Sequence, residues 1–319
     1  MKILYVTTES PGSIGVRKKI YSKISCLNDL GVDAKAIYFS ENIPDGLKST
    51  DDRIKWIQFV PKKLPGIFNR RFFWQFQILY KNYFFYKALG KSIKEQGNFD
   101  FMIIRYPGAD LNLYALTKKY NGKIILEHNS KELSELALNP KIFLYNYYYR
   151  SEKNIGPRII RNVRGIMGVT EEITKYQVAR SKRTKSSVTI SNGFSVSDVK
   201  VRNVPPLTNE INILFLIGSG VSNWYGIDRL IKSVAEYKGD KKFKVYIVGN
   251  KFEPEIQMTK QYNVQDQFVF TGFLEKEALD DVFDQCHVAV AALAMYKIDL
   301  TQAAALKVKE YLKNRNEFI

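Results

Sequence analysis

Between Ile211 and Leu312 short apolar runs alternate with amphipathic stretches at a nearly constant interval, and this rhythm constrains the fold more than any other feature of the chain. Strands are expected at Ile211–Ile217, Lys244–Val248, Phe268–Thr271 and Val288–Ala292. Helices are expected at Ile227–Tyr237, Pro254–Tyr262, Glu275–Gln285 and Ala303–Leu312. Strands that alternate with helices at this spacing build a parallel sheet through right-handed crossovers.

The first half repeats the theme less evenly. A near-continuous apolar run over Lys2–Thr7 suits a parallel strand covered on both faces. A loop with Gly12 and Gly15 leads into a helix over Val16–Leu30, with apolar positions at Ile20, Ile24, Leu27 and Leu30, and Gly31 closes it. A strand over Ala34–Tyr38 completes a β-α-β unit. Further strands are expected at Phe101–Arg105, Lys123–Glu127, Gly165–Val169 and Ser187–Ile190. Helices are expected at Phe72–Gln96, Leu111–Tyr120, Ser130–Arg161 with a break near Gly156-Pro157, and Glu171–Arg180. Val204-Pro205-Pro206 is a stiff connection without hydrophobic periodicity, and it marks the boundary. The expected fold is α/β, with two tandem Rossmann-like parallel-sheet domains, 1–203 and 204–319, facing each other across a cleft.

Length agrees with two domains, since 319 residues exceed one ordinary domain. No apolar run approaches the roughly 18–20 residues of a membrane-spanning helix. Met1–Thr7 is too short and too quickly followed by Glu9 to be a signal peptide. Cys26 and Cys286 are far apart, which fits small core thiols in a reducing cytoplasm. The formal net charge of +17 points to an anionic partner: a nucleic acid, an acidic membrane surface or a phosphorylated substrate.

Ligands of such sheets bind beyond the carboxyl ends of the strands. In the second domain the first such loop runs from Gly218 through Gly220 and Trp224 to Gly226. Its glycines let a backbone approach a phosphate at a helix N-terminus, although tight turns around a packing Trp224 would leave the same string. It is not G-x-G-x-x-G, which argues against a dinucleotide cofactor. Further along, Lys307 and Glu310 are three apart and share a helix face. A cation toward a diphosphate and a carboxylate on two ribose hydroxyls would make a nucleotide clamp; a solvated Lys/Glu pair is the plainer alternative.

The strings NWYGIDRLIKSVAEY, VYIVGN, VFTGFLEKEALDDVF and ALKVKEYL stand in this order in the second half. MKILYVTTESPGS, EHNSKE, VTEEITKY and VTISNGF stand in order in the first. Together they resemble the glycosyltransferases called group 1 or family 4, and within them bacterial members that make surface polysaccharides. The resemblance implies a GT-B fold in which the second domain holds the donor and the first the acceptor. It implies transfer of a sugar from a nucleotide diphosphate to an acceptor hydroxyl, with retention of anomeric configuration, no cofactor and no obligatory metal. Lys307 would contact the diphosphate or sugar, Glu310 the ribose, and Gly249 the nucleotide. His128 would stand near the donor sugar. Gly12 and Gly15, with Glu127, would form the acceptor and phosphate side. His287, opening an apolar strand, reads as structural.

The sequence also departs from the family pattern. Many relatives grip the diphosphate with an Arg and a Lys five apart; here Gly220 and Tyr225 stand in those places, which leaves Arg229 or Lys307 to supply the charge. Of the usual Glu-x7-Glu pair only Glu310 remains, with Gln302 at the first position. Relatives continue beyond the Glu-Tyr helix, so a C-terminally truncated product with an incomplete second domain is expected. A truncated or inactive homologue that binds a nucleotide sugar is therefore the second functional reading. An oxidoreductase reading finds no G-x-G-x-x-G to support it.

From Arg53 to Lys94 there is no acidic residue. Lys62, Lys63, Arg70, Arg71, Lys81, Lys87 and Lys91 alternate there with Phe68, Phe72, Phe73, Trp74, Phe76, Tyr80, Tyr83, Phe84, Phe85 and Tyr86. A basic-aromatic helix of this kind can lie at an anionic membrane surface; core aromatics with a solvated rim of lysines are the plainer alternative. No nucleic-acid-binding motif accompanies it. The expectation is a cytoplasmic enzyme, peripheral on the inner face of the membrane, acting on a glycan or lipid-linked acceptor.

Overall fold

The computed structural model describes residues 1–9, 11–44, 47, 51–59, 74–138, 143–194, 199–200, 202–203, 205–218, 223–249 and 253–314, side chains of 74–79, 81 and 143–145 excepted. The chain divides into two compact units, Met1–Ser191 and Asn192–Ile319.

The first unit runs β1 (Lys2–Thr7), α1 (Ile14–Asp29), β2 (Asp33–Ser40), β3 (Ile54–Gln58), α2 (Trp74–Glu95), β4 (Phe101–Arg105) and α3 (Leu111–Lys119). It continues with β5 (Ile124–His128), α4 (Glu132–Ala137), α5 (Phe143–Asn154), α6 (Gly156–Asn162), β6 (Gly165–Gly168), α7 (Glu171–Ser181) and β7 (Ser186–Thr189). The seven strands form one parallel sheet in the order β3-β2-β1-β4-β5-β6-β7. Successive residues of a strand point to opposite faces, and the two cores follow that alternation. Ile3, Tyr5 and Ile103 pack with Ile20 and Ile24 of α1. Leu4, Val6, Met102, Ile104 and Leu126 pack on the other face with Leu89 of α2, Leu113 of α3 and Ile160 of α6. Helices α3 and α7 start on side-chain caps, Asp110 accepting from the Leu113 amide and Thr170 from that of Ile173.

The second unit runs β8 (Glu210–Leu216), α8 (Ile227–Glu236), β9 (Lys242–Val248), α9 (Glu253–Gln261), β10 (Phe268–Gly272), α10 (Lys276–Gln285), β11 (Val288–Ala289) and α11 (Leu306–Lys313). Its four strands are parallel in the order β10-β9-β8-β11.

The structure differs from the sequence-based expectation at several elements. Strand β3 was not expected; it pairs only with β2 at the sheet edge, with Ile54 buried and Trp56 and Ile57 half-buried. The long helix expected over Ser130–Arg161 is three helices, with one break at Gly156 as the Gly-Pro pair indicates. Helix α1 begins at Ile14, so Gly15 is helical rather than a loop residue. Helix α11 begins at Leu306, and β11 holds only Val288–Ala289. Cys26 is exposed and not a core residue, because it falls outside the Ile20–Ile24 stripe; Cys286 is buried. Phe72 and Phe73, Val204, Gly220 and the basic-aromatic residues Lys62, Lys63, Phe68, Arg70 and Arg71 lie outside the described residues.

The compact units divide ahead of the Pro-Pro connection, because the chain before it is already bound to the second unit. Asn192 donates to the Ala304 carbonyl, and the Lys200 amide donates to that of Lys313 at 2.7 Å. Arg202 pairs with Asp280 at 2.5 Å and Asp284 at 2.6 Å on α10. His287 is structural in its contacts: its Nδ1 accepts the Asn212 amide and its Nε2 lies 3.2 Å from the Pro206 carbonyl.

Candidate functional site

In a sheet of order β10-β9-β8-β11, the crossover after β8 leads to β9 on one side and the crossover after β10 returns to β11 on the other, so a crevice opens at the carboxyl ends of β8 and β11. Tyr311 of α11 bridges that point. Its hydroxyl accepts the Leu216 amide at 2.9 Å and donates to the Val290 carbonyl at 2.8 Å, and burial raises its pKa. Lys307 is one turn earlier on the same face. Its ammonium lies 3.5 Å from the Tyr225 ring centroid and 5.3 Å from that of Phe215. It is buried without a hydrogen-bond partner among the described residues, and burial lowers its pKa to about 7. A desolvated cation held by ring faces alone lacks a counter-charge.

Two glycines at this rim are required by geometry. Gly226 caps α8 in the left-handed region (φ 74°), and a Cβ there would stand 3.0 Å from that of Leu293. This close approach lets the loop pair with the chain beyond β11, through Leu293 N to Tyr225 O at 2.9 Å and Ala294 N to Trp224 O at 3.2 Å. Gly249 (φ 143°) passes so near β8 that a Cβ would lie 2.1 Å from the Ile217 carbonyl oxygen. Gly218 is exposed, and nothing crowds it.

The remaining donor-side residues are arranged differently from one another. Trp224 packs at 4.3 Å on Tyr225. Arg229 is not a free grip: its Nη1 donates to the Leu293 carbonyl at 2.7 Å, and it stacks 5.3 Å from the Tyr296 ring. Glu310 is half-buried on α11, and Gln302 is exposed just before it. Thus Lys307 and Tyr225 come together at the rim. Glu310 forms no ion pair with Lys307, although their spacing places both on one side of the helix.

The first unit has its own crevice, where β1 and β4 diverge. Alternation along β5 sends Glu127 to the α1 face and His128 to the other. His128 is fully buried at the strand end, not in a loop, and its Nδ1 lies 2.8 Å from Glu132 Oε1 in the first turn of α4. Glu132 is fixed by Gln177, which donates to Oε2 at 2.5 Å, and by Arg180 at 3.8 Å. Burial would raise the Glu132 pKa, but His128 and its hydrogen bond outweigh that and hold it low. An ionised Glu132 accepts from Nδ1, so the ring presents Nε2, which has no partner among the described residues. The Tyr106 ring lies 4.3 Å away. Behind it Glu152 accepts from Tyr106 at 3.0 Å, the Ala109 amide at 2.7 Å and Arg180 at 2.6 Å. Burial and the Glu132 charge raise its pKa.

On the α1 face Glu127 is not exposed to a ligand but enclosed by cations. Lys19 reaches Oε1 at 2.6 Å, Lys23 reaches Oε2, and the Tyr5 hydroxyl donates to Oε2 at 3.1 Å. Burial pushes this carboxyl up, but the lysines outweigh it and bring it down to about 2. Gly12 accepts the Ile14 amide in the turn that opens α1. Sequence reasoning missed Glu132, Gln177, Arg180, Lys19, Lys23 and Arg105. Only Glu132 left a signal, four residues after His128 within EHNSKE.

Among the described residues no three His, Cys, Asp or Glu side chains gather as a metal ligand set. No described helix is long and apolar enough to cross a membrane.

Residues 200–312 match the family described as Glycosyl transferases group 1. No curated protein matches the sequence. Among solved structures, the lipopolysaccharide outer core galactosyltransferase WaaB in its apo form is similar at TM-score 0.58 and 15% identity, covering 91% of this chain and 73% of that one. Anabaena Alr3699/HepE in complex with UDP and glucose is similar at TM-score 0.59 and 12% identity, with coverages of 92% and 74%. A glycosyltransferase from Rickettsia africae ESF-5 is similar at TM-score 0.54 and 16% identity, with coverages of 90% and 72%. The fold class is therefore two parallel-sheet α/β units in tandem, as in GT-B glycosyltransferases.

Proposed function

We propose that this chain, whose residues 200–312 match the group 1 glycosyltransferases, moves a sugar from a nucleotide diphosphate to a hydroxyl of a glycan or lipid-linked acceptor in cell-surface polysaccharide synthesis. The observation that carries the reading is Lys307: a buried ammonium without a counter-ion, at the carboxyl-end crevice of the second sheet. A leaving diphosphate supplies the missing charge, and the interaction strengthens as charge develops on the leaving oxygen. Lys307 then acts without an obligatory metal, and activity is expected to survive chelation by EDTA. Glu310 takes the ribose hydroxyls, Gln302 a sugar hydroxyl as a neutral amide, and Gly218, Trp224, Gly226 and Gly249 shape the nucleotide side. His128 presents Nε2 to the donor sugar, and transfer proceeds with retention.

The HepE structure in complex with UDP and glucose supports a nucleotide-sugar donor. WaaB, named for lipopolysaccharide outer core, supports a surface-glycan acceptor. The enzyme works at the cytoplasmic membrane face, where its basic surface meets anionic lipid.

Titration calorimetry with a panel of nucleoside diphosphates and their sugars tests the proposal. One nucleotide is expected to bind saturably to the wild type and at least about tenfold more weakly to Lys307→Met; equal affinity in the two proteins would overturn the role of Lys307. A binding protein without turnover is the second reading, favoured by Arg229 being committed to the Leu293 carbonyl and by Tyr225 standing on Lys307. Donor hydrolysis separates the two.

A further inference from the structure

We infer that the amino-end rim of β5, β6 and β7, at the opposite end of the first sheet from its crevice, is a docking surface for an anionic phospholipid membrane. The excess charge lies wholly in the first unit. Lys and Arg number 33 against 16 Asp and Glu over Met1–Ser191, and 16 against 16 over Asn192–Ile319. Within that unit it gathers where three helices return to neighbouring parallel strands. The connection from α3 to β5 carries Lys118, Lys119 and Lys123, with no acidic residue from Leu111 to Leu126. That from α6 to β6 carries Arg158, Arg161 and Arg164, with none from Lys153 to Thr170. That from α7 to β7 carries Lys182, Arg183 and Lys185, with none from Ile173 to Ser191. All are exposed except Lys185, which is half-buried. Lys94, in the last turn of α2, extends the rim toward β4.

Cations at helix ends have a local role, since a charge in the last turn answers the carbonyls there. Lys118, Lys119 and Arg161 fill it for α3 and α6, and Lys185 donates to the Arg161 carbonyl at 2.8 Å and to that of Val163. Lys123, Arg164, Lys182 and Arg183 lie beyond the helices. None of the nine forms an ion pair among the described residues; the ion pairs of α7 belong to Lys175 and Arg180. Register sets the strand starts level. The Arg164 amide donates to the Ile124 carbonyl at 2.7 Å and Gly165 pairs with Ser186, so Lys123, Arg164 and Lys185 precede adjacent strands side by side. Adjacent strands are about 4.8 Å apart, inside the screening length of about 8 Å at physiological salt. The cations therefore repel one another, and a plane of lipid phosphates relieves that repulsion. Burial and the neighbouring Arg183 charge lower the Lys185 pKa, as expected where no carboxylate intervenes. A single-stranded nucleic acid would need stacking side chains as well as charge. The rings nearest the rim, Tyr114 and Tyr120, are half-buried with Lys118 and Lys119 over their faces.

Docked on this rim, the first unit turns its β1/β4 crevice away from the lipid by about the length of a strand, five residues in β5 or roughly 17 Å. Under the glycosyltransferase reading, on which this clause alone rests, the acceptor hydroxyl is carried on a glycan that spans that distance. Sedimentation of the full chain with vesicles of phosphatidylglycerol and phosphatidylcholine tests the rim. Combined Lys119→Gln, Arg161→Gln, Arg164→Gln and Arg183→Gln is expected to weaken vesicle binding at least about tenfold. The same number of charges removed from the second unit, at Lys232, Lys238, Lys241 and Lys242, is expected to leave it unchanged. In the wild type, where no variant has to fold, vesicles are expected to protect Lys118, Lys119, Lys123 and Lys182 from acetylation, read by mass spectrometry. Equal binding by the rim variant and the wild type overturns the inference, as does unchanged acetylation of these lysines at saturating lipid. Binding of a mixed-sequence RNA at concentrations too low for vesicle binding overturns it in favour of a nucleic acid. Nucleotide binding by the rim variant, measured separately, is expected to match the wild type and reports on the donor site alone.

Discussion

At the scale of single residues the second unit is built around one uncomfortable charge. The Lys307 pKa of about 7 lies below its ordinary 10.5, so between those values the unfolded chain binds the extra proton and stability rises with pH across that window. Below pH 7 the penalty is fully present. Lys307→Met is therefore expected to stabilise the ligand-free protein at pH 7 by about 1–3 kcal/mol, while weakening nucleotide binding. Urea midpoints at pH 7 and 10 check this: the gain should shrink toward pH 10. Lys19, lowered to about 8, titrates in the same window, so the wild-type-minus-variant difference, not the absolute slope, carries the result. Gly249→Ala tests the opposite kind of residue, one fixed by geometry. A Cβ 2.1 Å from a backbone oxygen at φ 143° cannot be relieved by a side-chain rotation, and a loss of about 3 kcal/mol is expected in denaturant melts.

At the scale of elements the two crevices are held by side chains that tie one element to another. Tyr311 joins α11 to both β8 and the chain beyond β11, and its hydroxyl satisfies two backbone groups. Tyr311→Phe leaves both unsatisfied and is expected to cost about 1–3 kcal/mol in thermal or urea unfolding. In the first unit the first turn of α4 sets the His128 ring through Glu132, and α7 sets Glu132 through Gln177 and Arg180. Glu132→Gln is expected to lower kcat on the order of 10²-fold, with donor affinity unchanged, because the amide no longer fixes the tautomer. Kinetics in which KM rises and kcat holds would place Glu132 elsewhere in the reaction.

For the whole molecule, the net charge of +17 makes surface electrostatics a long-range property. Helix α2 carries Lys87, Lys91 and Lys94 at exposed positions with exposed Tyr83 beside them. Sedimentation with phosphatidylglycerol vesicles is expected to bring the protein down at about 0.05 M salt and release most of it at about 0.5 M, since screening shortens the reach of each charge. Binding that ignored both lipid charge and salt would count against membrane docking. The fold at this scale was largely legible. The apolar rhythm that marked β8, β9, β10 and their helices is a direct consequence of strands buried on both faces, and the structure retains it. Edge strand β3 was not legible, although the edge strands β7 and β10 were: its Ile54, Trp56 and Ile57 are interrupted by Lys55 and flanked by Arg53 and Gln58, which leaves no sustained apolar run.

The candidate site divides along the same physical line. That His128 ends a strand rather than opening a loop came from the structure, whereas sequence spacing alone determined that Lys307 and Glu310 share a helix face and that Gly226 and Gly249 stand at strand-to-helix turns. Local geometry is written in short-range pattern, so these were within reach. Only the tertiary structure decided that Lys307 has aromatic rings and no anion for company, that Arg229 is committed to a backbone carbonyl, and that Lys19, Lys23 and Arg105 converge on Glu127. Those pairings join residues as far as 108 positions apart. Which charges meet depends on strand order and on which face each residue occupies, and neither is encoded in any one segment of the chain.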